Sequence, residues 1–82
     1  MSRIINRPVE VTIGPDGVPR AFRDRGRFVR ISHVLDHWLE TGRWWEQEPE
    51  RETYRVVTAA GGVYELTREI PNGRWFLYKS YD

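Results

Sequence analysis

Four glycine-bearing turn signals punctuate this chain at short, fairly even intervals: Gly14-Pro15-Asp16-Gly17, Arg25-Gly26, Gly61-Gly62 and Asn72-Gly73. That is the rhythm of antiparallel hairpins. Asn-Gly supplies the two positive-φ residues of a type I′ turn, so residues 64–70 are expected to fold back on 75–81. On a two-residue loop Ile70 faces Trp75, Arg68 faces Leu77 and Leu66 faces Lys79. Tyr64, Leu66, Ile70, Trp75 and Leu77 then share the core side, and Glu65, Thr67, Glu69, Phe76 and Tyr78 the other. The preceding strand, 53–59, joins through Gly61-Gly62 or through Ala60-Gly61-Gly62. The shorter loop sets Arg55 across from Arg68. The longer one, with Gly62 left-handed, sets Arg55 between Glu65 and Glu69 and places Tyr54 and Val56 with Leu66. Charge favours the longer loop, which makes about 53–81 a three-stranded meander.

In the first half Val9, Val11 and Ile13 alternate with polar residues up to the Pro-Asp-Gly turn, and residues 18–23 return antiparallel. Residues 27–32 form a third strand, with Val29 and Ile31 on its apolar side. Beyond Ser32 two readings stand. Either Ser32 caps a short helix near 33–41, with Val34, Leu35, Trp38 and Leu39 on one face and Gly42 at its end, or the strand runs on to Trp38 through a bulge. The helical spacing fits slightly better. Glu46-Gln47-Glu48-Pro49-Glu50-Arg51-Glu52 reads as an exposed acidic connection between N-terminal hairpins at about 8–32 and the C-terminal meander.

Eighty-two residues hold one core, and neither half carries enough apolar surface to stand alone, so the expectation is a single domain over 1–82. Without cysteine there is no disulfide and no thiolate zinc site, and stability rests on burying four Trp, four Tyr and three Phe. A reducing, cytoplasmic setting fits. No apolar run reaches the roughly 20 residues of a membrane helix, and the start lacks the apolar stretch of a signal peptide. The fold class expected is mainly β: a small antiparallel barrel, or a strongly twisted sheet of five to six strands, with the short helix near 33–41 as the favoured reading there.

Catalytic constellations are weak. His33 and His37 would share a helical face, but Val34 stands where a zinc protease has Glu, and no third ligand is evident. Ser32, His33 and Asp36 lie too close along one turn to act as a triad. Glu46, Glu48, Glu50 and Glu52 alternate around Pro49 and read as solvated, and no phosphate loop is present. Neither an enzyme nor a metal or other cofactor is expected.

The basic segment points elsewhere. Arg20, Arg23, Arg25, Arg27 and Arg30 against Asp24 give a net +4 over residues 20–30, five cations less one anion. Guanidinium groups around a hairpin tip suit phosphates, and Phe22 and Phe28 interleave with them as base-stacking rings would, unless both rings serve the core. Trp44-Trp45 is the second feature. Neighbours on a strand point to opposite faces, so one of them must cover the second sheet face over Phe76 and Tyr78 or stand exposed to a partner.

One resemblance joins these residues. Gly42-Arg43-Trp44-Trp45, Arg51, Tyr54-Arg55-Val56, Gly62, Tyr64-Glu65-Leu66, Arg68-Glu69, Gly73-Arg74-Trp75-Phe76-Leu77 and Tyr81-Asp82 resemble a small uncharacterised bacterial domain. They are similar to the C-terminal tail of the inactive Y-family-polymerase-like subunit of bacterial mutasomes, over roughly the second half of the chain. The resemblance implies a bacterial module associated with translesion synthesis or DNA repair that acts by binding. No polymerase palm or clamp-binding peptide is carried over. The combined expectation is a non-catalytic module in which Arg20, Arg23, Arg25, Arg27 and Arg30 contact the phosphates of single-stranded nucleic acid while Trp44 or Trp45 stacks on bases. The alternative is a module for a DNA-repair protein or for homodimerisation, using a sheet edge or the aromatic surface of Trp44, Trp45, Phe76 and Tyr78.

Overall fold

A computed structural model describes residues 2–42 and 44–81, with Trp44 described only in its backbone. Seven strands follow one another: β1 (Arg3–Pro8), β2 (Glu10–Ile13), β3 (Pro19–Asp24), β4 (Arg27–Glu40), β5 (Arg51–Thr58), β6 (Val63–Glu69) and β7 (Arg74–Ser80). They form one sheet in the order β1-β7-β6-β5-β4-β3-β2, antiparallel at every pairing. β1 and β2 are the two edges, yet Val9 alone separates them in sequence. Only a sheet that curls back on itself brings its edges that close. The result is a curled half-barrel whose gap is bridged by the continuous bent segment β1–β2, anchored where the Val9 N–H donates to the Trp75 carbonyl at 3.1 Å. Such curling leaves little open edge for unwanted pairing.

The mainly β expectation holds, with seven strands where five or six are expected from the sequence. The extra one is β1. Its adjacent isoleucines, Ile4 and Ile5, break the alternation that marks a strand, and the chain answers with a bulge in which Asn6 takes φ 49°.

The helix near 33–41 is not formed. Among the described residues the only helical turn is a 3-10 turn at Trp44–Glu46, and residues 33–40 continue β4. β4 is one long strand shared between two partners: its first part pairs with β3, and residues 31–40 with β5. Its register with β5 shifts between Ile31 and His33 and again between Val34 and Asp36. Each shift inserts a residue, Ser32 and then Leu35, and an inserted residue turns a period of two into a local period of three. That is why the apolar spacing imitates a helix.

The turns follow local chemistry. Arg25 and Gly26, at φ 52° and 78°, form the two-residue turn of the β3–β4 hairpin. The β5–β6 loop has the expected three residues, one position earlier: the Thr58 N–H donates to the Gly62 carbonyl at 2.9 Å, and Gly61, not Gly62, is left-handed at φ 94°. Arg55 therefore sits directly across from Glu65, while Tyr54 and Val56 join Leu66 as expected. At β6–β7 the loop has four residues, Ile70 to Gly73, and Arg68 faces Trp75 while Leu66 faces Leu77. A two-residue loop would have required Pro71 as a strand residue without an N–H. Instead the Asn72 side-chain carbonyl accepts from the Arg74 N–H at 2.9 Å. The register slips by two from Leu66 to Glu69, so those side chains keep their faces. Ile70, however, falls in the loop, and a bulge between Glu65 and Leu66 sets Lys79 across from Glu65, not Leu66.

The concave side holds the core: Phe22, Ile31, Tyr54, Val56, Leu66 and Leu77, with Ile5, Val9, Val11, Val29, Val34, Tyr64 and Trp75 around it. Phe22 on β3 meets Tyr64 on β6 edge to face, with centroids 5.8 Å apart, so one ring pair ties the two ends of the curl together. Leu66→Ala, at a fully buried position, is expected to lower unfolding free energy by about 2–5 kcal/mol in urea titration. Leu35→Ala, at an exposed bulge, is expected to change it by about 0.5 kcal/mol or less.

Candidate nucleic-acid interface

The β3–β4 hairpin sorts the basic segment by face. Phe22 pairs with Val29 and Asp24 with Arg27 on the concave side, whereas Ala21 pairs with Arg30 and Arg23 with Phe28 on the outer side. Phe22 is accordingly a core residue and Phe28 is 60 % exposed. Arg23, Arg25, Arg27 and Arg30 gather around the tip and all are exposed. None of the four lies within ion-pairing distance of a described carboxylate. Arg20 stands apart at the other end of β3, 3.7 Å from Asp16 of the preceding turn. Four of the five expected arginines are thus brought together, on both faces of one hairpin.

The hairpin's one acid is neutralised from outside it. Nε and Nη2 of Arg7, on β1, each donate to a different Asp24 oxygen at 2.7 Å. These hydrogen bonds outweigh desolvation and hold Asp24 below its ordinary value, with the charges of Arg7, Arg25 and Arg27 adding to the effect. Asp24 stays ionised, its charge answered by Arg7, and the four tip arginines keep a net positive field.

The expected aromatic surface divides. Phe76 and Tyr78 are half-buried on the outer face, around a hollow of about 100 Å³ that Asn6, Arg51, Thr67 and Glu69 complete. The Arg74 guanidinium lies 5.9 Å from the Phe76 ring centre. Trp45 is 65 % exposed on the connection that follows β4, at the end of that strand remote from the arginine hairpin. The side chain of Trp44 lies outside the described residues. The ring beside the arginines is therefore Phe28, which the sequence left between core and surface. The parity of the Arg25-Gly26 turn, which sets Phe28 across from Arg23, is the signal that separates it from Phe22.

Sequence reasoning also missed what covers the outer face. The Arg55 guanidinium lies 5.3 Å from the Trp38 ring centre and 5.2 Å from that of Tyr81. It donates to Asp36 at 3.1 Å and to the Tyr81 hydroxyl at 3.1 Å. The Tyr81 hydroxyl donates in turn to Glu65, and that hydrogen bond, helped by burial, raises the phenol above its ordinary value. Beneath this cover Glu65, Thr53 and Thr67 are buried, the two threonine hydroxyls 3.1 Å apart.

The histidines separate. His33 pairs with Val57 on the outer face, its Nδ1 3.3 Å from the Ser32 hydroxyl, while His37 pairs with Tyr54 on the concave face. Asp36 is committed to Arg55, so Ser32, His33 and Asp36 make no relay. Glu52, expected to be solvated, is the second residue of β5 and is largely buried. It accepts from Arg68 at 2.7 and 3.2 Å and from His37 Nε2 at 2.8 Å, and the His37 ring stacks on Tyr54. Burial pushes its carboxyl up, but the Arg68 and His37 hydrogen bonds prevail and hold it below its ordinary value. Among the described residues no group of three or more His, Asp or Glu is placed to hold a metal ion, and no helix is long and apolar enough to cross a membrane.

A family model described as Domain of unknown function (DUF6504) matches residues 1–82. No curated protein and no solved structure matches the chain.

Asp24 and Glu52, both lowered from ordinary values of 3.8 and 4.5, set the acid limit of stability. A depressed carboxyl contributes stability that is fully present above its unfolded-state value and is lost as pH falls through its folded-state value. Urea midpoints measured from pH 7 downward are expected to stay level to about pH 4.5 and then fall. Glu52→Gln should start from a lower midpoint at pH 7 and show a shallower acid-side fall than wild type.

Proposed function

The chain belongs to the DUF6504 family, and we propose that it is a non-catalytic bacterial module that binds single-stranded nucleic acid on the β3–β4 hairpin. The carrying observation is the exposed Phe28 directly across from Arg23, with Arg25, Arg27 and Arg30 around it and no described carboxylate within ion-pairing distance of them. Guanidinium groups that no described carboxylate engages are available to phosphates, and a ring among them offers a face on which any base stacks. Phe28 is not part of the packed core cluster, so its exposure leaves the ring available. The resemblance of the second half to the mutasome subunit's tail supports a setting in translesion synthesis or DNA repair.

A second reading rests on Trp45, whose ring is 65 % exposed. Large exposed indoles are common anchors at protein interfaces. On this reading the module docks a repair protein or a second copy of itself through the β4–β5 connection. Sedimentation equilibrium showing a dimer in wild type and a monomer in a folded Trp45→Ala variant would favour it.

Under the nucleic-acid reading, fluorescence anisotropy with a single-stranded DNA oligomer is expected to show affinity falling with salt, with a log–log slope of about −3 for four phosphate contacts. Arg25→Ala should make that slope shallower by about 0.7. Phe28→Ala should weaken binding by about tenfold, equivalent to about 1.4 kcal/mol, with the salt slope unchanged. No binding at low ionic strength would refute this reading.

A further inference from the structure

A cavity of about 550 Å³ opens at the mouth of the half-barrel, between the β3–β4 hairpin and the β5–β6 turn. Its floor is apolar and aromatic, made of Phe22, Tyr64 and Leu77, and its rim carries Arg27, Arg30 and the exposed Phe28 and Ala60. The volume lies within the roughly 300–1,000 Å³ of small-molecule sites. Three features narrow the occupant. A bare phosphate would find no partner on the floor. A purely apolar ligand would leave the rim cations unused. Asp24, the acid among the lining residues, is engaged by Arg7, so the rim stays positive.

We infer that this cavity receives one unstacked base of a bound single strand, with Arg27 and Arg30 on the phosphates flanking it. The inference rests on the nucleic-acid reading and adds to it a site for a base. A flat heteroaromatic ring, with the phosphates it carries on either side, satisfies an apolar floor and a cationic rim together. Single-stranded recognition ordinarily works by splaying bases apart onto aromatic side chains in this way. Phe28, an exposed ring that lines the cavity beside Arg27 and Arg30, then stacks a neighbouring base at the mouth. Tyr64 has two roles: it ties the curl to Phe22, and it lines the cavity.

The test separates the cavity floor from the exposed ring on its rim. Binding of an oligothymidylate and of an abasic oligomer of the same length is measured by anisotropy in the Phe28→Ala background, where stacking on the exposed rim ring is removed and the floor of Phe22, Tyr64 and Leu77 is kept. The cavity predicts that the base-bearing oligomer remains about fivefold tighter. Adding Ala60→Trp, or Ala59→Trp at the neighbouring exposed position, should block the mouth and abolish that preference while leaving abasic affinity unchanged. Equal affinity for the two oligomers in Phe28→Ala, or a preference that survives both tryptophan substitutions, overturns the base pocket and leaves the hairpin reading standing. Failure of wild type to bind either oligomer overturns both.

Discussion

The structure depends on the curl that brings the first and last edges of a seven-stranded sheet within one residue of each other. β1 lies on β7 and β2 on β3, with Val9 between them, so no flat arrangement satisfies both pairings. Three contacts hold the curl: the Val9 hydrogen bond to Trp75, the Phe22–Tyr64 ring pair and the forked Arg7–Asp24 bridge. They differ in kind. The ring pair removes apolar surface from water, the backbone bond satisfies a donor at the bend, and the bridge fixes the hairpin's angle to β1. The same bridge cancels the hairpin's one negative charge, so the contact that shapes the fold also shapes its electrostatics.

Curling explains how so small a chain uses so many rings. A single sheet face cannot bury Tyr54, Tyr64, Trp75, Phe76, Tyr78 and Tyr81 together. The concave side takes Tyr54, Tyr64 and Trp75. The outer face takes Trp38, Phe76, Tyr78 and Tyr81, where Arg55 lies between Trp38 and Tyr81 and covers buried Glu65, Thr53 and Thr67. Most of the aromatic surplus therefore completes a second, polar-lined layer. Among the described residues, Phe28 and Trp45 are the most exposed rings, and Phe28 stands among arginines that no described carboxylate engages.

Much of this was legible in the chain because turn chemistry is local. Arg25-Gly26 and the three-residue β5–β6 loop came through in kind. The faces of Leu66, Thr67, Trp75, Phe76 and Leu77 were assigned correctly despite a register slip of two at β6–β7, since an even slip leaves side chains on the same side. Ile70, in contrast, fell in the loop, and a bulge set Lys79 across from Glu65. What stayed hidden depends on distant partners. Bulges at Ser32 and Leu35 gave β4 an apolar spacing that imitates a helix. β1 lacks alternation, and its partner strand lies at the other end of the chain. Glu52 looked like part of a solvated acidic run until β6 and β4 supplied Arg68 and His37. Within the site, the arginine cluster was readable from composition, but the exposure of Phe28 follows only from pairing parity across the hairpin.

The central claim is that the β3–β4 hairpin, and not the ring-covered outer sheet or the Trp45 connection, is where single-stranded nucleic acid is held. Backbone amide chemical shifts followed by NMR during titration with a single-stranded DNA oligomer test this most directly. The account predicts that the largest changes cluster at residues 22–30 and 58–60 and diminish as salt is raised. Changes centred on Trp45, or on Phe76 and Tyr78, or none anywhere at low salt, would contradict it.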